Sequence, residues 1–314
     1  MQVWHSLDDV ARRGEPSPDG CVVTIGNFDG VHRGHQTVVT DVVARARELG
    51  TAAVVTTFDP HPMTVIHPDS APLHLTSLDR RLDLLAELGV DATLVLPFTG
   101  EVSRWEPSDF VQRVLVDALH AGEVHVGENF RYGHRAAGNV TTLAHDGERL
   151  GFAVRALPLA GEDAHWSSTY VRQCLAEGDT LAAAAALGRP HRVEGPVVEG
   201  DKRGRELGYP TANLALAVDV AIPEDGVYAG WLVRADGTRM PAAISIGTNP
   251  TFGGTTRRVE AYVLDRDDLE LYGEHVGVEF ADRLRETITF DGVEPLLVQM
   301  ARDVEQARAL IVPR

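Results

Sequence analysis

Two histidines three residues apart, His32 and His35, close a segment that reads CVVTIGNFDGVHRGH over residues 21–35. An apolar run, a glycine-rich turn, H-x-G-H and then a helical pattern would present two imidazoles at a helix N-terminus. Backbone N–H groups and the helix dipole favour an anion there. Imidazole N–H donors add stabilisation where charge builds on a reacting phosphoryl group. The chemistry this pattern suits is nucleotidyl transfer. Gly26, Gly30 and Gly34 permit close backbone approach, and Asn27 and Asp29 add polar groups to the same turn. The plain alternative for an isolated H-x-G-H is one core and one surface histidine.

Three further segments of the first half carry candidate residues. FDPHP (58–62) holds Asp59 and His61 in a loop stiffened by two prolines, and equally reads as a rigid turn with a solvated aspartate. VGENFRYG (126–133) sets Asn129, Phe130 and Arg131 between glycines, a combination suited to a flat heterocycle with a phosphate. Its alternative is a core Phe130 beside a surface arginine. WSSTYVR (166–172) opens a helix; Ser167 or Ser168 reads as an N-cap, and Ser168, Thr169 and Arg172 also make a triphosphate clamp. No G-x-x-x-x-G-K-[ST] occurs, so a P-loop is excluded, and the first turn lacks the G-x-G-x-x-G of dinucleotide oxidoreductases.

The second half has its own dense segment, GPVVEGDKRGRELGYPTAN (195–213). Lys202, Arg203 and Arg205 lie among Gly200, Gly204 and Gly208, as in a solvated basic hairpin or a phosphate loop. After Pro210, Thr211 and Asn213 alternate, so on an extended chain they share a face. A hydroxyl and an amide oxygen are hard ligands suited to Mg²⁺ carrying a nucleotide phosphate, or simply a Thr/Asn turn. The polar loop IGTNPTFGG (246–254) precedes VEAYVL (259–264), in which Val259, Ala261 and Val263 face one way and Glu260 and Tyr262 the other. A carboxylate so placed can take a proton from a substrate hydroxyl; an exposed strand glutamate is the bland reading.

The elements that must position these residues alternate in the first half. Apolar runs at 22–25, 52–58, 92–96, 123–126 and 153–156 read as strands. Helical patterns cover 36–49 and 78–88, the latter with Leu78, Leu82, Leu85 and Leu88 on one face, and a stripe of Phe110, Val111, Val114, Leu115, Ala118 and Leu119 follows Pro107. Repeated βα units imply a Rossmann-like parallel sheet with ligands beyond the carboxyl ends of its strands. From about Leu187 the pattern changes to short β runs at 192–198, 227–233, 242–246, 257–264 and 275–280, then a helix at 293–310. These predict a small antiparallel β-barrel with a terminal helix, so the expected domains are 1–186 and 187–314.

Bulk properties bound the function. A chain of 314 residues favours two domains. Its net charge of −17 disfavours sequence-independent nucleic-acid binding while leaving small phosphorylated ligands open. Two cysteines in apolar surroundings read as reduced thiols of a cytoplasmic protein. No apolar run approaches the ~18 residues of a membrane span, and the first 19 residues lack a signal-peptide apolar region.

Taken together, the segments at 26–35, 58–62, 126–133, 167–172, 195–213 and 249–253, with Glu260, resemble the bifunctional riboflavin kinase/FMN adenylyltransferase family, the prokaryotic FAD synthetases. The resemblance implies an N-terminal nucleotidyltransferase domain, related to but distinct from class I tRNA synthetases, that makes FAD from FMN. It implies a C-terminal kinase barrel that makes FMN from riboflavin. In the first, Gly26, Asn27, Phe28, Asp29, His32, His35, Asn129, Arg131, Ser168, Thr169 and Arg172 would bind ATP, and Phe58, Asp59, His61 and Phe130 would form the flavin side. In the second, Gly200, Lys202, Gly204, Arg205, Gly208, Pro210, Thr211 and Asn213 would bind ATP, Thr211 and Asn213 would hold Mg²⁺, and Glu260 would be the general base. Riboflavin, FMN and ATP are the expected small-molecule partners, with no nucleic acid and no membrane. Trp166, Tyr132, Tyr209 and Asp201 depart from the common family residues in ways that are peripheral or conservative in shape. A tRNA-ligase-like enzyme built on the same H-x-G-H loop is a rival, disfavoured by the acidity and by the lack of a K-M-S-K-S run. A flavin-binding sensor with decayed sites is a second rival, disfavoured by the joint presence of His32, His35, Thr211, Asn213 and Glu260.

Overall fold

Parallel strands buried on both faces need continuous apolar runs, and Cys21–Ile25 (β2) supplies one in which all five residues are buried. The computed structural model describes residues 1–14, 17, 20–158, 166–200, 204, 207–217, 219–248 and 257–311. The expected site residues Lys202 and Arg205, with Asp201, Arg203 and the loop 249–254, lie outside the described residues. Contacts divide the chain into two compact units: Met1–Pro72 with Leu78–Trp166, and Leu73–Ser77 with Ser167–Arg314.

The first unit is built on β1 (Gln2–Trp4), β2, β3 (Ala52–Asp59), β4 (Ala92–Pro97), β5 (Ala121–Gly127) and, beyond a short hairpin of β6 (Arg131–Tyr132) and β7 (Gly138–Asn139), β8 (Ala153–Leu157). The sheet order is β1-β4-β3-β2-β5-β8. Every neighbouring pair is parallel. After edge strand β1 the chain enters central β2, runs outward through β3 and β4, then returns to β5 on the other side. The carboxyl ends of β2 and β5 therefore flank a topological switch point, where open α/β sheets bind ligands.

Helices α1 (Leu7–Arg13), α2 (Arg33–Leu49), α3 (Pro62–Ile66), α4 (Leu78–Glu87), α5 (Pro107–Phe110) and α6 (Val140–Leu150) complete this unit. Trp4, Val23, Ile25, Leu94, Leu115 and Val124 share the largest core, and Val39, Val55, Leu84 and Leu85 form another. On α4 the fully inward residues are Arg81, Leu84 and Leu85, whereas Leu78, Leu82 and Leu88 are half-buried, so the leucine stripe expected from the sequence is rotated. Residues Val111–Ala118 after α5 are wound as a π-helix. Their apolar pairs recur every four residues, longer than the α period, and the wider i→i+5 winding matches that recurrence.

The second unit contains α7 (Ser168–Ala176) and α8 (Thr180–Leu187), then β9 (His191–Val198), β10 (Ala212–Leu214), β11 (Gly226–Val233), β12 (Arg239–Thr248), β13 (Arg257–Val263) and β14 (His275–Glu286). The six strands close a barrel in the order β10-β13-β12-β11-β14-β9. All of its pairs are antiparallel. Val193, Tyr228, Leu232, Ile244, Val259 and Phe280 fill it. Helix α9 (Val293–Ile311) packs Ala307 and Ile311 against Ala229 on the outside of the barrel. Among the described residues no helix is long and apolar enough to cross a membrane.

Candidate active sites

In the first unit the loop after β2 turns into α2 with His32 as the N-cap. Its Nδ1 accepts the His35 backbone N–H at 3.3 Å, so a neutral ring carries its proton on Nε2. The two imidazoles stack, with centroids 3.6 Å apart and planes 23° from parallel. Phe28 meets His35 edge-on at 5.1 Å. A Cβ on Gly34 would lie 3.2 Å from the His32 ring and 3.1 Å from the Trp166 carbonyl, so glycine there lets the ring lie against the chain. Phe28 (φ 48°) and Val31 (φ 38°) both adopt left-handed backbone. For a β-branched residue this is strained, and such strain gathers at functional loops.

Burial, helped by His32 and then Arg81, holds the His35 imidazolium well below its usual range, so the ring is neutral. Its Nδ1 is buried without a hydrogen-bond partner. Asp29 in the same loop is 1% exposed. From the end of β3, His61 caps α3: its Nδ1 accepts the Met63 N–H at 3.2 Å, and its Nε2 lies 3.2 Å from the Asn27 amide. The structure thus joins the β2 and β3 loops directly. Asp59 is exposed, and Phe58 is half-buried against Phe98 at 5.7 Å. After β5, Asn129 and Arg131 are exposed, while Phe130 stacks on Tyr132 at 5.4 Å and 12°. Phe130 also packs on the core, as its plain sequence reading has it.

Ser168, Thr169 and Arg172 fall in the second unit, on α7. Ser167 is the cap, accepting the Tyr170 N–H at 3.1 Å. Arg172 Nε donates to the Leu73 carbonyl at 2.6 Å and the residue lines a cavity of about 590 Å³.

In the barrel, β13 carries Glu260 between β10 and β12, opposite Asn213 on one side and Ser245 on the other. Val259, Ala261 and Val263 point inward and Glu260 and Tyr262 are half-buried on the other face, as the alternation predicts. Thr211 Oγ1 donates to Glu260 Oε2 at 3.4 Å. Asn213 is buried, and its Oδ1 has no hydrogen-bond partner. A Cβ on Gly200 would come within 2.5 Å of the Asn213 amide, so glycine there lets the amide lie against the chain. Gly204 approaches the Tyr209 carbonyl in the same segment.

Thr211 lines two cavities. One, about 440 Å³, is bounded by Gly208, Pro210, Arg266 and Tyr272. The other, about 270 Å³, is bounded by Glu260, Tyr209, Tyr262, Ser245, Leu296 and Met300, between the barrel and α9. Tyr209 and Tyr262 meet edge-to-face at 5.2 Å. Gly200 and Asn213 line a third cavity of about 600 Å³ with Arg257 and Arg258.

Two features of these sites escape the sequence. Arg81 is buried behind the β2 and β3 loops; its spacing with Leu84, Leu85 and Leu88 was the available signal. Arg285 and Asp303 form a bidentate pair at 3.0 and 2.7 Å in the wall of the smaller barrel cavity, with Gln299 donating to Asp303 at 2.8 Å. Each of those charges, read alone, resembles a solvated one.

A family model described as FAD synthetase matches residues 14–170, and one described as riboflavin kinase matches residues 187–311. The bifunctional riboflavin kinase/FMN adenylyltransferase of Pseudomonas fluorescens is 39% identical over 315 residues, covering 100% of this chain and 99% of that protein. Its namesake from Escherichia coli K12 is 36% identical over 291 residues, 92% of each chain. A crystal structure described as a macrolide-efflux protein from Streptococcus pneumoniae has a TM-score of 0.85 at 30% identity, covering 98% of both chains.

Proposed function

The chain belongs to the bifunctional riboflavin kinase/FMN adenylyltransferase family, and from that membership we propose how its own residues divide the work. Its two activities are ATP-dependent phosphorylation of riboflavin to FMN and adenylylation of FMN to FAD with release of pyrophosphate. Residues 1–186 carry the second reaction and 187–314 the first, a division supported by the spans of the two family models.

In the kinase half, Glu260 accepts the proton of the riboflavin 5′-hydroxyl as its oxygen attacks the γ-phosphorus of ATP, the bond from that phosphorus to the β–γ bridging oxygen breaks, and ADP leaves. The flavin occupies the 270 Å³ cavity, where Tyr209, Tyr262, Leu296 and Met300 offer flat apolar surface beside that carboxylate. Gly200, Gly204, Gly208 and Pro210 shape the nucleotide side. The orphaned Asn213 Oδ1 and the neighbouring Thr211 hydroxyl are hard oxygens and fit Mg²⁺. Held there, Mg²⁺ would neutralise charge between the β- and γ-phosphates.

In the adenylyl half, the FMN phosphate attacks the α-phosphorus of ATP and pyrophosphate leaves. The nucleophile is already anionic, so alignment and charge stabilisation suffice. His32 and His35, stacked at the start of α2, donate hydrogen bonds to the phosphates. Gly26, Asn27, Phe28, Asp29, Asn129 and Arg131 complete the ATP side within the first unit. Phe58, Asp59, His61 and Phe130 form the flavin side. We place the enzyme in the cytoplasm, a reading supported by Cys21 and Cys174, both buried and unpaired.

The observation that carries this reading is that one chain holds both an imidazole pair at a helix N-terminus and, in the barrel, a Thr211–Glu260 contact beside an apolar cavity. Chromatography of flavins formed from riboflavin, ATP and Mg²⁺ tests it. His32→Ala and His35→Ala should each lower FAD formation roughly a hundred- to a thousandfold, the cost of one lost oxyanion donor, and leave FMN formation intact. Equal loss of both products in a folded variant would refute the division.

A further inference from the structure

Among the described residues the only buried lysine or arginine is Arg81, 2% exposed, on the inner face of α4. Burial pulls its pKa below the usual guanidinium range, with Asp29 and Asp59 acting in the opposite sense. A charge taken out of water needs compensation, and a core arginine that gains little from packing invites a functional explanation. Its hydrogen bonds show what it holds. Nη1 donates to the Thr57 hydroxyl at 3.3 Å and to the Phe58 carbonyl at 3.1 Å. The Thr57 hydroxyl donates onward to the Asn27 carbonyl at 3.0 Å, and the Asn27 amide faces the His61 ring. One guanidinium therefore ties α4 to the end of β3 and, through one hydroxyl, to the loop that carries the imidazole pair. Its Nε is buried without a partner.

We propose that Arg81 is a positioning residue for adenylyl transfer: it fixes the loops after β2 and β3 against each other and sets a permanent positive charge near His35. The inference rests on assigning adenylyl transfer to that imidazole pair. The groups facing His35 are His32 on its own loop, Arg81 from α4 and the Phe28 ring; Asp29 and Asp59 face Arg81 from the two loops. A cation behind His35 disfavours a second cation on the ring. That protects the arrangement in two ways. The rings stack without like-charge repulsion, and His32 keeps the Nδ1 lone pair that caps α2. Protonation of both rings would put like charges in the stack, and protonation of His32 would remove the lone pair that caps α2.

The sign of the effect is fixed. Removing the Arg81 charge removes one of the influences that lower the His35 pKa, so the ring protonates at a higher pH than in the wild type. Full-length Arg81→Met and Arg81→Lys test this by FAD formation from FMN across pH, FMN formation from riboflavin, and NMR titration of the His35 ring. Arg81→Met should lower FAD formation about a hundredfold, as expected for ~1 Å misplacement of aligned groups. Its acid limb and the His35 titration should both move to higher pH, with FMN formation unchanged. Arg81→Lys keeps the charge and loses the fork, so FAD formation should fall while the limb stays in place. A folded Arg81→Met whose His35 titration and acid limb coincide with the wild type overturns the proposal. If Arg81→Met does not fold, Arg81→Lys decides: wild-type FAD formation in that variant overturns it. Failure of the wild-type chain to make any FAD would instead refute the adenylyl-transfer reading itself.

Discussion

At the residue scale, Glu260 and the imidazole pair solve different problems. A riboflavin hydroxyl must lose a proton as it attacks, so its site needs a base; an FMN phosphate does not, so its site needs donors. The structure supplies a half-buried carboxylate bonded by Thr211 in one unit and, in the other, a stacked imidazole pair in which burial keeps His35 neutral. Glu260→Gln preserves shape and hydrogen bonding while removing the proton acceptor. We expect kcat for FMN formation to fall roughly 10²–10⁴-fold, the span of general base catalysis, with KM for ATP little changed. Steady-state kinetics with riboflavin and ATP varied separately checks this, and near-wild-type kcat would remove Glu260 from the role. The alternation around Glu260 was legible in the sequence because strand geometry has a strict period of two. Its meeting with Thr211, 49 residues earlier, was not legible as a contact, because it depends on β13 pairing with β10 in one register.

At the element scale, legibility follows local signal strength. Strands β2 to β4 announce themselves because both faces are apolar, and α2 because its apolar period runs into Gly50, which adopts the left-handed cap. Strand β1 has three residues, α1 has acids in its first turn, and α6 reads VTTLAHDGERL; none has enough periodic apolar content to be singled out. Strand β14 runs on to Glu286 because two register shifts against β11 keep the charged stretch 281–286 paired. What fixes α2 to the sheet is also ionic. Arg45 clasps Glu123 on β5 at 2.7 and 2.9 Å, and His125 adds a contact at 3.1 Å. Arg45 is the main reason that the Glu123 pKa falls from an ordinary 4.5 to about 2. A depressed carboxylate contributes stability that is complete above its unfolded pKa and lost as pH falls through the folded one. Glu123→Gln should therefore be less stable than the wild type at pH 7, and the gap should close as pH drops from about 4.5 towards 2. Thermal melts of both proteins across that range check the trend; a gap independent of pH would show that the clasp is not what holds the helix.

At the scale of the whole molecule, a single acidic chain carries a large core against the parallel sheet and another inside the barrel, and the two share no residue. Each reaction's central groups belong to one unit: His32, His35 and Arg81 to the first, Thr211, Asn213 and Glu260 to the second. The product of the kinase step is the substrate of the adenylyl step, and FMN is a small dianion that water solvates well. Chemistry on the two halves is then linked by a diffusible molecule, and nothing in the catalytic groups requires both steps to occur on one chain. This yields a sharp expectation for variants that each keep one site. Neither His35→Ala nor Glu260→Gln alone should convert riboflavin to FAD efficiently: the first stops at FMN, the second fails to make it. An equimolar mixture of the two full-length variants should restore FAD formation from riboflavin. FMN should appear first, and FAD should follow after a lag that shortens as the Glu260→Gln chain is increased. Time courses of all three flavins read this directly. FMN accumulation without FAD in the mixture, while Glu260→Gln still converts added FMN, would mean that FMN made by one chain is not available to another.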